Sequence, residues 1–268
     1  MLNVQELIFY ITIARYLYKK TENFLTMPNE LVYVVLDSSK RTSGTDENFS
    51  TTLIRPIKHI KKVLLTDLNF PLSYYNININ NDTLEYEQPP DPIIHIASIS
   101  IGNYDGTTLA SAIEVAMNAI TSGFTVSFDA TTYKFTFTHI DVFILKNTST
   151  IWPLLGFNAE DTLTIHISDK VVNLQSPKYI KIKSDVLGNS DQRLLLNQHD
   201  STEDNTIYTL FPNSTFGCIL VNNFMNRVLN YTNSFTITSI DLSLTDENDN
   251  PLLLNGNSWI ISLQLTVR

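Results

Sequence analysis

Apolar residues occupy every second position in the run "WIISLQLTVR". Trp259, Ile261, Leu263, Leu265 and Val267 share one face, and Ile260, Ser262, Gln264, Thr266 and Arg268 share the other. This period belongs to a strand with one face packed and one face wet. Upstream, Ile240, Leu242 and Leu244 repeat it, whereas Phe235 and Ile237 fall out of phase, which predicts a bulge near Thr238–Ser239. The intervening Asp246-Glu247-Asn248-Asp249-Asn250-Pro251 is dense in turn formers. The simplest arrangement is a hairpin with a long connection.

Similar short runs cover most of the chain. Strands are expected at 31–37, 49–54, 59–70, 93–101, 124–129, 134–139, 163–168, 178–185, 206–211 and 216–222, with "VFILKN" as a further apolar piece. The stretch Tyr75–Pro92 breaks the pattern with Asn, Asp and Pro and reads as a loop, as does polar Gly188–Asn205. A helix is expected at roughly 106–121. It carries Leu109, Ile113, Ala116, Met117 and Ile120 at helical spacing, with Thr107 or Thr108 as cap and Gly123 near its end. "IWPLLGF" adds one helical turn. Many strands with few helices predict a mainly β sandwich carrying an inserted helix-bearing piece.

Charge and cysteine content narrow the function. A net charge of -9 and a pI near 4.9 argue against a protein that coats nucleic acid through phosphate contacts. Charged residues make up only 17%, so the surface is largely neutral and polar. Cys218 is the one cysteine, and its setting in "FGCILV" predicts an inert, buried strand position. "LIFYITIARYLY" (Leu7–Tyr18) is too short to span a membrane and holds Arg15. Glu6 precedes it where a signal peptide would carry basic residues. Residues 1–27 are read as an N-terminal extension without an assigned role.

No motif carries chemistry. His59, His95, His139, His166 and His199 lack metal-ligand spacing. Asp246, Asn248 and Asn250 match the first spacings of a calcium loop. Pro251 then replaces the required Gly, and Asn257 cannot ligate bidentately, so an Asx-rich turn is expected. Glu85 and Glu87 fall in the Pro-rich loop with nothing to desolvate them. The triplets at Asn48, Asn81, Asn147, Asn213 and Asn230 match the glycosylation pattern as an Asn-rich chain does by chance. The reading is therefore non-enzymatic: no catalytic residues, no cofactor-binding residues, no metal site and no cofactor. A glycan-binding sandwich would expose Trp or Tyr on a concave face or loop, but Trp152 and Trp259 both sit in apolar surroundings and are expected to be buried.

A resemblance adds to this. "LTDENDNPLLLNGNSWIISLQL" has a strand, an Asp-rich turn, a Leu-Asn-Gly step and an aromatic-led final strand. "VYVVLDSSKRTSGTDENFSTTLIRPIKHIKKVLLTDLNFPLSYYNI" has a strand ending in Asp-Ser, a short strand, and a long strand closed by Pro and "YYNI". Between them come "ISIGNYDGTTLASAI", "FTVSFDATTYKFTFT" and "LLGF". In this order they resemble the penton and minor capsid proteins of virophages, Maverick/Polinton elements and large DNA viruses. The similarity covers most of residues 28–268. Asn250 stands where the turn usually carries Gly, and residues 1–26 have no counterpart.

The resemblance implies a single jelly-roll β-sandwich over 28–268 with a helix-bearing insertion at about 95–165. It implies a virion capsid protein that forms homopentamers at vertices and meets the major capsid protein, with no direct nucleic acid contact and no membrane span. The alternatives are a minor capsid protein cementing facets, or a glycan- or host-surface-binding β-sandwich.

Overall fold

The computed structural model describes residues 30–175, 177–189 and 205–268. The N-terminal apolar run, most of the polar loop after Gly188, and His199 lie outside these residues. The described chain is mainly β, in two antiparallel sheets, as its patterning predicts. The first sheet combines β1 (Glu30–Asp37), β2 (Ser43–Gly44), β3 (Asn48–Pro71), β9 (Ile180–Lys183), β10 (Thr206–Leu210), β11 (Ile219–Thr245) and β12 (Ile260–Val267). Its order is β1-β12-β3-β11-β9-β10, with β2 beside β3.

β3 joins two runs that the sequence separates at Arg55-Pro56. Pro56 has no N–H to give a ladder, and it falls where the ladder is already broken. The pairing of β3 with β11 shifts register between Asn230 and Phe235, between Phe235 and Ile237, and between Ile237 and Ser239, the last of these at the expected bulge. His59 has a left-handed backbone in the same stretch (φ 59°). These irregularities fold the strand back on itself. Phe49 and Phe70, at opposite ends of β3, would be roughly 70 Å apart if it were straight. Both rings instead meet Trp259, at 5.7 Å and 6.0 Å. The sheet thus doubles into a sandwich, and its inward residues form one core drawn from 36–72 and 180–267.

The predicted terminal hairpin is not formed. β12 pairs with β1 and β3, so β3 lies between β11 and β12, while the end of β11 pairs with β9. Alternation tells which side chains face inward, and both strands do follow it: Ile240, Leu242 and Leu244, then Trp259, Ile261, Leu263, Leu265 and Val267, are buried. It does not tell which strand is the neighbour. The connection is pinned instead by Glu47, whose backbone carbonyl accepts from Leu244 N (2.9 Å) and whose carboxylate accepts from Leu254 N (2.7 Å).

The second sheet has the order β5-β4-β7-β6, with β8 also on β7. Its strands are β4 (Thr83–Gln88), β5 (Asp91–Ser98), β6 (Thr125–Asp129), β7 (Lys134–Leu145) and β8 (Leu163–Ile167). β4 lies inside the stretch read as a Pro-rich loop. Leu84 and Tyr86 are fully buried while Thr83, Glu85 and Glu87 are not, a short alternation masked by the flanking Asn and Pro. Helix α1 (Gly106–Asn118) covers one face with Leu109, Ala110, Ile113 and Met117. Its N-cap is Asp105, and Thr108 completes a capping box as the third helical residue. Ile120 lies beyond the helix and is 44% exposed, a correction to the predicted apolar stripe. The short helix α2 (Trp152–Leu155) is the expected single turn. Among the described residues, the buried members of the core beneath α1 run from Ile77 to Val172, with Leu174 packed against it.

Candidate interaction surfaces

The chemistry-bearing residues are spread out. His59 is exposed, and His95 stacks on Tyr86 at 5.0 Å. His139 packs against Phe124 with centroids 4.5 Å apart. His166 is buried beside Phe143, with Nε2 2.9 Å from the Phe143 carbonyl. Burial holds the His166 imidazole below its ordinary pKa. Among the described residues no three His, Cys, Asp or Glu come together as metal ligands. Cys218 is exposed just ahead of β11, contrary to the buried position read from "FGCILV". Cys218 belongs to the turn ahead of the strand, so alternation does not reach it: within β11 Ile219 and Val221 are exposed and Leu220 is buried.

The acidic residues serve the fold. Asp246 Oδ1 accepts from Asn248 N and Asn250 N, each at 2.8 Å, and Oδ2 accepts from Asn250 Nδ2 at 2.9 Å. This is the expected Asx-rich turn. Asp249, left-handed at φ 66°, reaches Lys181 at 2.9 Å and Lys183 at 2.5 Å and so ties the connection to β9. Partial burial alone would raise the Asp249 pKa, but the two ammonium groups more than offset it and hold the carboxyl below the usual range. Glu85 and Glu87 lie on β4. Glu85 accepts from Thr148 Oγ1, and Glu87 is 3.8 Å from Lys146, which bonds Glu160 at 2.7 Å.

What remains are surfaces. Leu31, Tyr33 and Val35 alternate on the outer face of β1 and are 49%, 68% and 65% exposed. β1 ends its sheet, so one edge of its backbone has no strand partner among the described residues. It carries no Lys, Pro or bulge, the usual protections of a free edge. β5 ends the second sheet and exposes Ile93, Ile94 and Ile96, though Asp91 and Pro92 open it.

A cleft of about 430 Å³ opens between the N-terminus of α1 and the β6–β7 turn. Tyr104, Asp105, Phe128, Tyr133, Asn173 and Gln175 line it. Gly106 lets the Phe128 ring lie against the start of the helix, where any Cβ would collide with it. Tyr133 is 55% exposed, and its ring stands edge-on to Phe128 at 5.6 Å. Sequence reasoning weighed only the tryptophans as exposed aromatics. Trp259 is buried as expected and Trp152 is half-buried, but Tyr133 occupies a concave surface. Its signal was the aromatic closing the polar turn "ATTY".

No family model matches the chain, and no curated protein matches it. Among solved structures, it is similar to the crystal structure of the mavirus penton protein at 12% identity and a TM-score of 0.48, over 89% of this chain and 100% of that one. It is also similar to a chain of the Sputnik virophage cryo-EM structure at 14% identity and a TM-score of 0.40, over 90% of this chain and 98% of the other. At these values neither likeness assigns a role to this chain.

Proposed function

We propose that the chain is a non-enzymatic structural protein of a viral capsid, a jelly-roll vertex unit that assembles as a homopentamer and meets the major capsid protein. The observation that carries this reading is the apolar edge of β1, which no described residue covers. Leu31, Tyr33 and Val35 form a stripe on a terminal strand that a solitary soluble protein would blunt with charge. The ordered capsid-like motifs of the sequence support the same reading. A neighbouring copy seated against β1 buries the stripe without desolvating charges, because its polar neighbours on β12 are Ser262, Gln264 and Thr266. Repeating such a heterologous contact closes a ring when its rotation closes, and each contact would bury on the order of 1,000 Å² or more.

The test is reconstruction of the virion with the natural chain and with Tyr33→Lys/Val35→Lys. Density for the natural chain at fivefold vertices, lost in the variant while its melting temperature is kept, is the expected result. Density only at facets would assign the minor, facet-cementing role instead. Absence of the chain from purified particles would rule out both.

A further inference from the structure

The cleft at the start of α1 is not explained by assembly. We propose that it binds an uncharged carbohydrate, with Tyr133 as the stacking platform. Its volume of about 430 Å³ suits a ligand of one or two sugar rings, since small-molecule sites commonly run from about 300 to 1,000 Å³. A pyranose presents a C–H face and a rim of hydroxyls. It therefore needs an accessible aromatic face and, around it, groups that both donate and accept. Tyr133 supplies the face. Asn173 Nδ2 and the Gln175 carboxamide line the same cleft, are exposed, and make no hydrogen bond to other described residues. Asp105 spends Oδ1 on Thr108, through the backbone N–H at 2.8 Å and the hydroxyl at 2.8 Å, which leaves Oδ2 as an acceptor. That carboxylate, in a chain of net charge -9, disfavours sialylated or sulfated sugars.

The backbone of Tyr133 supplies an independent observation. Its φ is 54°, left-handed, at the last position of the turn between β6 and β7. Gly or Asn takes this conformation readily, whereas a bulky side chain is uncommon there. The turn is already tied without the ring: Tyr133 N donates to Asp129 O at 2.7 Å, and Val172 N donates to Tyr133 O at 2.9 Å. The tyrosine ring is thus held exposed, at a conformational cost that the turn does not require. Strain of this kind collects where a side chain is presented to a ligand. The site stands whether or not the chain builds a capsid vertex.

The experiment is saturation-transfer NMR and titration of the full chain with lactose, cellobiose, mannobiose, N,N′-diacetylchitobiose and 3′-sialyllactose. At least one neutral disaccharide is expected to bind, and sialyllactose to bind no better than lactose. Tyr133→Asn should weaken the bound sugar at least tenfold while leaving the melting temperature unchanged or raised, because Asn relaxes the turn. A merely structural tyrosine would lower the melting temperature and spare binding. Asn173→Ala/Gln175→Ala, which among the described residues removes only the exposed bond from Gln175 N to Asn173 Oδ1, should weaken binding several-fold and gives a second reading if Tyr133→Asn fails to fold. Binding by none of the neutral disaccharides, or binding unchanged in these variants, overturns the proposal.

Discussion

Trp259 shows how one residue can hold two layers together. It is 1% exposed, meets Phe49 and Phe70 edge-on, and donates from Nε1 to the Asp46 carbonyl at 2.7 Å. Its backbone N donates to Ser38 Oγ at 3.0 Å, and Ser38 N donates to its carbonyl at 3.0 Å. Those contacts reach both arms of the bent β3 and the end of β1. Trp259→Ala should therefore cost about 3–5 kcal/mol, in the range of large aromatic deletions from cores. Urea unfolding measures it, and a loss under about 1 kcal/mol would show that the two arms do not depend on the indole. Period two places Trp259 inside from sequence alone. The indole's partner, the carbonyl of Asp46, lies 213 residues away and could not be read in the same manner.

At the scale of elements, the helix tests how far spacing can be trusted. Leu109, Ile113 and Met117 are fully buried under α1, and Val115 is 71% exposed. Glu114 looks like a solvent residue by spacing, yet its carboxylate accepts from Val126 N at 2.8 Å and ties the helix to β6. Ile113→Asp should destabilise the protein by about 3 kcal/mol or more, since it combines a lost apolar side chain with a buried, unpaired charge. Val115→Asp should stay within about 0.5 kcal/mol. Glu114→Ala should fall between, near 1 kcal/mol, for a part-buried hydrogen bond to a charged group. Thermal melts of the three variants check the order Ile113, Glu114, Val115, and a different order would mean the helix does not pack as described. The strands fared less evenly. β7 merges "KFTFTH" with "VFILKN", and β3 merges two runs, because bulges let a ladder continue across residues that break the pattern.

For the whole molecule, the two cores raise the question of independence. We propose that the helix-bearing insertion, expected at about 95–165, extends over residues 76–174, since β4 and β5 share its core, and that it folds as a separate piece. Its two ends meet: Asn76 Nδ2 donates to Leu174 O at 3.3 Å and to Tyr104 O at 2.8 Å, and Asn76 Oδ1 accepts from Tyr104 N at 2.9 Å. Chain ends this close allow a domain to be grafted or removed without stretching the host. Replacing residues 77–173 by a short Gly-Ser linker should leave a soluble sandwich that melts cooperatively, and residues 76–174 alone should give dispersed amide resonances. If both pieces are unfolded, the two cores form one cooperative unit.

Local patterning in the sequence specifies the β class, the inward faces of 240–244 and 259–267, the bulge before Ser239, the existence of α1 and the Asx turn at Asp246. All of these rest on contacts within a few residues, where backbone sterics and periodicity act directly. It also carried the ordered motifs behind the capsid reading. Four features came from the folded chain instead: β3 separates β11 from β12, β4 forms within the Pro-rich stretch, Cys218 is exposed, and Tyr133 stands over a cleft. The strand order and the cleft depend on partners remote in sequence, whereas β4 is a local hairpin partner of β5 whose alternation the flanking Asn and Pro mask. Strand neighbours are chosen by how two layers close around Trp259, and a cleft exists only where the start of a helix, a turn and the segment around Asn173 arrive at the same place.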